Sequence, residues 1–138
     1  MVQKTLCIIK PDAVKKNIQG SIIQKISDSG FKILGMKLVK LTESIAGNFY
    51  EVHKERPFYN DLCTFMTSGP VVVIALGKEN AVTDYRNLIG ATDPAEAAEG
   101  TIRKLFADSK SENAVHGSDS EENGKIEVAF FFAECELI

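Results

Sequence analysis

The stretch Pro70-Val71-Val72-Val73-Ile74-Ala75-Leu76 decides the fold, because it is apolar at every position. A strand covered on both faces reads in this way. Working outward from it, Thr5 to Ile9 is a second short apolar run, which ends where Pro11 removes a ladder donor. Phe31 to Leu41 is a third extended segment, and Val128 to Phe132 is predicted as the last strand. The sequence therefore predicts four strands.

Segments with helical spacing separate these strands. They are predicted at Gly20 to Ser29, from Thr42 to a point before Pro57, at Phe58 to Met66, at Asn80 to Leu88 and at Thr101 to Ala107. The β-α-β-β-α-β order is typical of an α+β, ferredoxin-like sandwich, a four-stranded antiparallel sheet with helices packed on one face. Such a sheet has edges and a second face to cover, so self-association is expected.

Two further segments are predicted to lack long regular elements. Asp108 to Asp119 is a polar loop, and weak helix formers at Asn123 and Gly124 predict that any helix after Ser120 is short.

Composition narrows the class of protein. The 138 residues predict one domain spanning 1–138, with 44% hydrophobic and 25% charged residues as in ordinary soluble proteins. A net charge of −3 argues against a general affinity for nucleic acid. Three widely spaced cysteines favour a reducing compartment, and neither a signal peptide nor a membrane span is apparent. A cytoplasmic location is expected.

His116 lies in a turn of small and polar residues, Asn113-Ala114-Val115-His116-Gly117-Ser118-Asp119-Ser120. Further histidines or cysteines at metal-ligand spacing are absent from this segment, so a metal site is not indicated. A neutral imidazole is a nucleophile or a base. Glu127, downstream at the start of the predicted last strand, is a candidate to fix its tautomer. A solvated loop histidine is the alternative for His116 taken alone.

Phosphate binding would have to use side chains. The sequence contains neither a G-x-x-x-x-G-K-[ST] loop nor a G-x-G-x-x-G loop. Lys10 at the end of the first strand, Arg86 and Arg103 are the candidates, because guanidinium and ammonium groups bind phosphate. Each of them, taken alone, also fits an ordinary solvated surface charge.

Seven segments together resemble the nucleoside diphosphate kinase family. They occur in family order over nearly the whole chain: Ile9–Ala13, Phe49–His53, Arg56–Phe58, Thr67–Pro70, Gly90–Pro94, Gly100–Arg103 and Asn113–Ser120. One departure is Leu105, where relatives usually carry an acidic residue.

The resemblance implies a phosphotransferase that moves the terminal phosphoryl group of a nucleoside triphosphate to a diphosphate by a ping-pong mechanism. His116 is then the phosphorylated residue, supported by Ser118 and Glu127, and Phe58 stacks on the base. The nucleotide's phosphates and sugar are surrounded by Lys10, Tyr50, Arg86, Thr92, Arg103 and Asn113.

Three further expectations follow from that resemblance. Mg²⁺ is expected as a cofactor held largely by the nucleotide's own phosphates and by water, since the sequence shows no acidic cage. A base held by stacking predicts broad base and sugar specificity among the nucleoside di- and triphosphates, ATP and GTP included. Homotetramer and homohexamer both stay open. The competing hypothesis is a non-catalytic oligomeric scaffold on the same fold.

Overall fold

The computed structural model describes residues 2–138. Along the chain the elements are β1 (Gln3–Ile9), α1 (Pro11–Lys15), α2 (Gln19–Asp28), β2 (Lys32–Val39), α3 (Glu43–Phe49), α4 (Tyr59–Met66), β3 (Val71–Lys78), α5 (Ala81–Ile89), α6 (Ile102–Phe106), β4 (Val115–Gly117) and α7 (Glu121–Phe131). Short 3₁₀ turns lie at Glu51–His53 and Glu134–Glu136. Among residues 2–138, none of the helices has the length and hydrophobicity that a membrane span needs.

The sheet has four strands in the order β2-β3-β1-β4, and every neighbouring pair is antiparallel. Ile8 of β1 pairs with Val73 on one side and with His116 on the other. The predicted ferredoxin-like α+β fold is therefore confirmed. The inner strand β1 ends at Ile9, and the next residue, Lys10, lies beside the segment that carries His116.

Helices cover both faces of the sheet, so the prediction of helices on one face is wrong. Along β3, Val72 and Ile74 pack in a cluster with residues of α2, α5 and α6. Val71 and Val73 point the other way, into a cluster with residues of α3, α4 and α7. Side chains at odd and even positions of β3 are therefore both buried, which explains why its sequence is apolar without interruption.

The last strand is the other error. The fourth strand is the three-residue β4, which lies inside the predicted polar loop, and 128–131 belong to the helix α7. The aromatic run favours a strand by propensity. In the structure Val128 and Phe132, four residues apart, are both buried, whereas Phe130 between them is exposed. This spacing follows one side of a helix.

Gly124 explains why α7 is longer than its weak helix formers predict. A Cβ at this position would lie 2.2 Å from the backbone oxygen of Lys4 on β1. Glycine is thus required for the close approach of α7 to the sheet, and tertiary packing outweighs the helix propensity lost there. Ser120 starts the helix by accepting a hydrogen bond from the backbone N–H of Asn123 at 3.0 Å.

Candidate active site

His116 is held on β4 with its ring facing the α7 side of the sheet. Its Nε2 lies 2.8 Å from Oε1 of Glu127, and the imidazole keeps 18% of its side-chain surface exposed. Phe49 contacts the ring edge to face, with a centroid separation of 5.6 Å. Contrary to the sequence prediction, Glu127 reaches His116 from a helix and not from a strand. The ring is oriented, yet one edge remains accessible.

Ser118 completes a hydrogen-bond chain behind the histidine. Its buried hydroxyl accepts the backbone N–H of Leu6 at 3.1 Å and donates to Oε1 of Glu127 at 2.7 Å. Glu127 Oε1 is therefore an acceptor, so the proton of the His116 contact belongs to Nε2 and the lone pair to Nδ1.

Tyr50 caps the C-terminal end of α3, and its side chain is buried near Glu127. Its hydroxyl accepts or donates no hydrogen bond within residues 2–138. Burial and the negative charge of Glu127 raise the pKa of the Tyr50 phenol. The phenol is thus a neutral donor at physiological pH.

Lys10 follows β1 directly and is only 8% exposed. Its Nζ donates to Oδ1 of Asn113 at 2.9 Å. Burial and the positive charge of Arg103 lower the pKa of Lys10 from 10.5 to about 8, while the charge of Asp12 acts in the opposite direction. An ammonium group that is poorly solvated and only partly neutralised is suited to binding an anion.

A cavity of about 590 Å³ opens beside Lys10. It brings together four residues that the resemblance implied, namely Lys10, Phe58, Thr92 and Asn113. Leu62 and Phe65 of α4 add apolar wall, and Asp61, Lys110 and Ser111 complete the rim. Phe58 is 48% exposed, and its ring packs against that of His53 with the centroids 5.5 Å apart. One apolar wall and one end lined by an ammonium and an amide match a nucleotide's base and its phosphates or sugar.

Arg103 is buried on α6 and bonds to the backbone. Its guanidinium donates to the carbonyl oxygens of Asn113 at 3.3 Å, Gly90 at 3.0 Å and Val115 at 2.9 Å. Burial, with a smaller effect from the charge of Arg86, lowers its pKa. Arg103 therefore braces the segment that leads into His116, a role that its sequence position did not indicate.

The predicted residues divide between the cavity wall and its surroundings. Tyr50, Arg86, Arg103, His116, Ser118 and Glu127 do not line the 590 Å³ cavity. Asn113, which does, lies three residues before His116 on one continuous segment, and Lys10 N–H donates to the carbonyl of Ala114 within that segment at 2.8 Å. Leu105 is exposed on α6 and lies outside the cavity wall.

Sequence reasoning missed Asp12, Leu62 and Phe65. Leu62 and Phe65 read as the apolar face of an amphipathic helix, and the sequence held no sign that this face borders a cavity. Asp12 reads as an ordinary acidic residue in the first turn of a helix, although it is 6% exposed.

The donor set does not fit a metal held by protein ligands alone. Within residues 2–138 no group of three or more histidine, cysteine, aspartate or glutamate side chains is placed to hold an ion.

Comparison with known proteins identifies the family. The family model "Nucleoside diphosphate kinase" matches residues 3–137. The nucleoside diphosphate kinase of Chloroherpeton thalassium is 61% identical over 137 residues, which cover 99% of this chain and 97% of the relative. That of Chlorobaculum parvum is also 61% identical over 137 residues, covering 99% of this chain and 98% of the relative.

Solved structures agree with the sequence comparison. A crystal structure of the Aquifex aeolicus nucleoside diphosphate kinase has a TM-score of 0.98 at 42% identity, and all of both chains is covered. A Halobacterium salinarum nucleoside diphosphate kinase in complex with CDP has a TM-score of 0.95 at 35% identity, covering 100% of this chain and 92% of that one. The chain therefore belongs to the nucleoside diphosphate kinase family and is a phosphotransferase of that class.

Proposed function

We propose that the chain transfers the terminal phosphoryl group of a nucleoside triphosphate to a nucleoside diphosphate in two steps, through a phosphohistidine at Nδ1 of His116. In the first step the Nδ1 lone pair bonds to the γ-phosphorus, and the bond from that phosphorus to the bridging oxygen breaks. The diphosphate leaves with that electron pair. In the second step a terminal oxygen of another diphosphate attacks the same phosphorus and the P–N bond breaks.

One observation carries this proposal, the 2.8 Å contact between His116 Nε2 and Glu127. With the proton held on Nε2, the free lone pair lies on Nδ1, which is what a nucleophilic imidazole needs. The positive charge that develops on the ring during attack is stabilised by the carboxylate, since Glu127 accepts from Nε2–H. Glu127 and Ser118 are therefore proposed as supporting residues.

Charge on the transferred group is balanced by the surrounding cations. Phosphoryl transfer depends on positioning and charge neutralisation more than on covalent assistance. We place the phosphates near Lys10 and Arg86, with Thr92 and Asn113 at the phosphates or sugar. Arg103 is bonded to three backbone carbonyls and is proposed to add its buried positive charge from behind. The neutral phenol of Tyr50, buried near Glu127, is proposed to lie behind the phosphate end of the site.

Base recognition is proposed to rest on Phe58, with Leu62 and Phe65 behind the base. These side chains are apolar, and stacking does not distinguish one base from another. Broad specificity among nucleosides follows. Magnesium is proposed to arrive as the metal complex of the nucleotide substrate, bound by phosphate oxygens and water.

The test is phosphoenzyme labelling with γ-labelled ATP and Mg²⁺. The wild type is expected to give an acid-labile, base-stable phosphoprotein that transfers its label to GDP, CDP and dTDP in turn. His116→Ala is expected to abolish labelling. His53→Ala is the control for the labelled residue, because His53 is the only other histidine in the sequence; since its ring packs against Phe58, labelling is compared at saturating ATP. A wild-type protein that takes up no label, or label that persists in His116→Ala, contradicts the mechanism.

Three organisational features are proposed alongside. We infer one domain over 1–138, a cytoplasmic location in keeping with three free cysteines, and homo-oligomers. Met36 and Leu38 support association, because both are exposed on β2 at one edge of the sheet. Light scattering after size exclusion distinguishes a tetramer from a hexamer, and a monomer contradicts the inference.

A further inference from the structure

Asp12 is a buried carboxylate beside the proposed active site. It lies in the first turn of α1, two residues after Lys10, and is 6% exposed. Its Oδ2 accepts the backbone N–H of Ala114 at 3.0 Å. Its Oδ1 is also buried and accepts no hydrogen bond within residues 2–138. A half-satisfied buried carboxylate is costly for folding, so a purely structural reason for it is weak.

Ala114 is the second unusual feature, and it is the residue that Asp12 contacts. Its φ is +72°, in the left-handed region that a residue with a Cβ rarely adopts. The backbone turns there between Asn113, which faces the cavity, and the short strand that carries His116. The carbonyl of Ala114 is held by Lys10 N–H and its N–H by Asp12. Both backbone groups of the strained residue are thus fixed from one side.

Charged groups approach Lys10 from several elements. Asp12 comes from α1 and Arg103 from α6, while Asp61 of α4 and Lys110 line the same cavity. Asp61 and Lys110 are both exposed, so water screens them. Asp12 is the buried negative charge in this set. It opposes the effects of burial and of Arg103 on the pKa of Lys10.

We propose that Asp12 is a positioning residue for phosphoryl transfer, which fixes the left-handed turn at Ala114 between Lys10 and His116. Its negative charge also acts on Lys10 and opposes the lowering of the Lys10 pKa by burial. The inference rests on the proposed function. Asp12 acts through two neighbours and does not touch the substrate. The carboxylate of Asp12 therefore helps to position both His116, the proposed nucleophile, and Lys10, the proposed phosphate-binding cation.

The charge role is tested by titrating Lys10 with NMR on protein labelled with ¹³C-lysine. In the wild type the Lys10 midpoint is expected near 8. Asp12→Asn keeps the size of the side chain and removes its charge, so the midpoint is expected clearly lower. The basic limb of the kcat/KM profile should move down with it. Asp28→Asn, the same change at an exposed position on α2, should leave both unchanged.

The turn role is tested by a rescue. Asp12→Ala is expected to slow phosphoenzyme formation roughly ten-fold, as loss of one hydrogen bond to a charged group implies. Ala114→Gly in that background should recover part of the rate, because glycine adopts a positive φ without strain. A purely structural loss at Asp12 would not respond to glycine at Ala114.

Two results overturn the inference. One is an unchanged Lys10 midpoint in Asp12→Asn, and the other is a double variant no faster than Asp12→Ala. If Asp12→Asn does not fold, Asp12→Glu retains the charge and must keep the midpoint near 8, and a fall overturns the charge role. The NMR titration needs no turnover. A wild type that takes up no phosphate therefore removes the proposed function while the titration still decides the charge role of Asp12.

Discussion

His116 and Glu127 are joined by a 2.8 Å contact that spans from β4 to α7, although the two residues are 11 apart in sequence. The carboxylate oxygen in this contact also accepts the hydroxyl of Ser118. The hydroxyl oxygen of Ser118 accepts a hydrogen bond from Leu6 N–H on β1, so its own hydrogen is free to be donated to Glu127. The donor in each hydrogen bond of this series is therefore defined, starting from the sheet. The tautomer of the histidine is therefore a property of the fold.

Glu127→Gln tests that relationship directly. A glutamine amide can donate to Nε2, and this would move the ring proton to Nδ1 and remove the attacking lone pair. We expect kcat/KM to fall by at least about a hundred-fold, since wrong-tautomer substitutions in related histidine systems cost up to ~10⁴. Ser118→Ala should cost less, about ten-fold, because the carboxylate remains. Equal activity of Glu127→Gln and wild type would show that the contact does not select the tautomer.

Lys10→Met should stabilise the protein while it removes activity. Lowering the pKa of Lys10 from 10.5 to about 8 corresponds to roughly 3 kcal/mol at neutral pH. Losing the bond to Asn113 offsets about 1 kcal/mol of this, so a net gain of about 2 kcal/mol in unfolding free energy is expected. Urea denaturation measures it.

The pH dependence of this gain has a definite sign. Between pH 8 and 10.5 the unfolded wild type binds more protons at Lys10 than the native protein does. Wild-type stability therefore rises with pH in that window, and the advantage of Lys10→Met should be full below pH 8 and gone near 10.5. A constant difference across that range contradicts the burial of a charged Lys10.

Gly124→Ala should destabilise the fold through a backbone clash. The added Cβ would lie 2.2 Å from the Lys4 carbonyl oxygen, so α7 has to move away from β1. A loss of about 2–4 kcal/mol is expected in urea denaturation. Gly20→Ala is the matched control on α2, where a Cβ meets nothing within 4 Å. There a gain of up to ~1 kcal/mol is expected. A neutral Gly124→Ala would mean that α7 is not seated as described.

Phe58→Ala should weaken nucleotide binding without changing base preference. Loss of a stacking ring costs roughly 1–3 kcal/mol, which is about 5- to 150-fold in KM. The ratio of kcat/KM values for GDP, CDP and dTDP should stay within about two-fold of wild type, because stacking carries little base readout. Val52→Ala is the control, since Val52 is exposed and does not line the cavity. A strong change in the ratio would show that Phe58 reads the base.

The fold was predictable from sequence where burial leaves a continuous pattern. The seven-residue stretch ending at Leu76 gave β3 because both faces of that strand are covered. The run from Val128 to Phe132 failed, because three adjacent phenylalanines satisfy strand propensity whatever their facing. β4 is only three residues long, so it shows no period that a pattern could reveal.

Site residues with unusual chemistry were easier to find than those with ordinary chemistry. His116 and Lys10 stand out by type and by place in the chain. Arg103 also stands out, yet its three bonds to backbone carbonyls depend on loops that meet only in the folded chain. Asp12 resembles many first-turn acids, and only its burial and its bond to Ala114 distinguish it.

β4 is an edge strand of the sheet, and Arg103 protects part of that edge. Alternate residues of an antiparallel strand direct their backbone groups away from the partner strand, which exposes them to pairing with a foreign chain. On β4 the carbonyl of Val115 is already taken by the Arg103 guanidinium at 2.9 Å. A charged side chain on this carbonyl disfavours pairing of β4 with a strand from another molecule at this edge of the sheet.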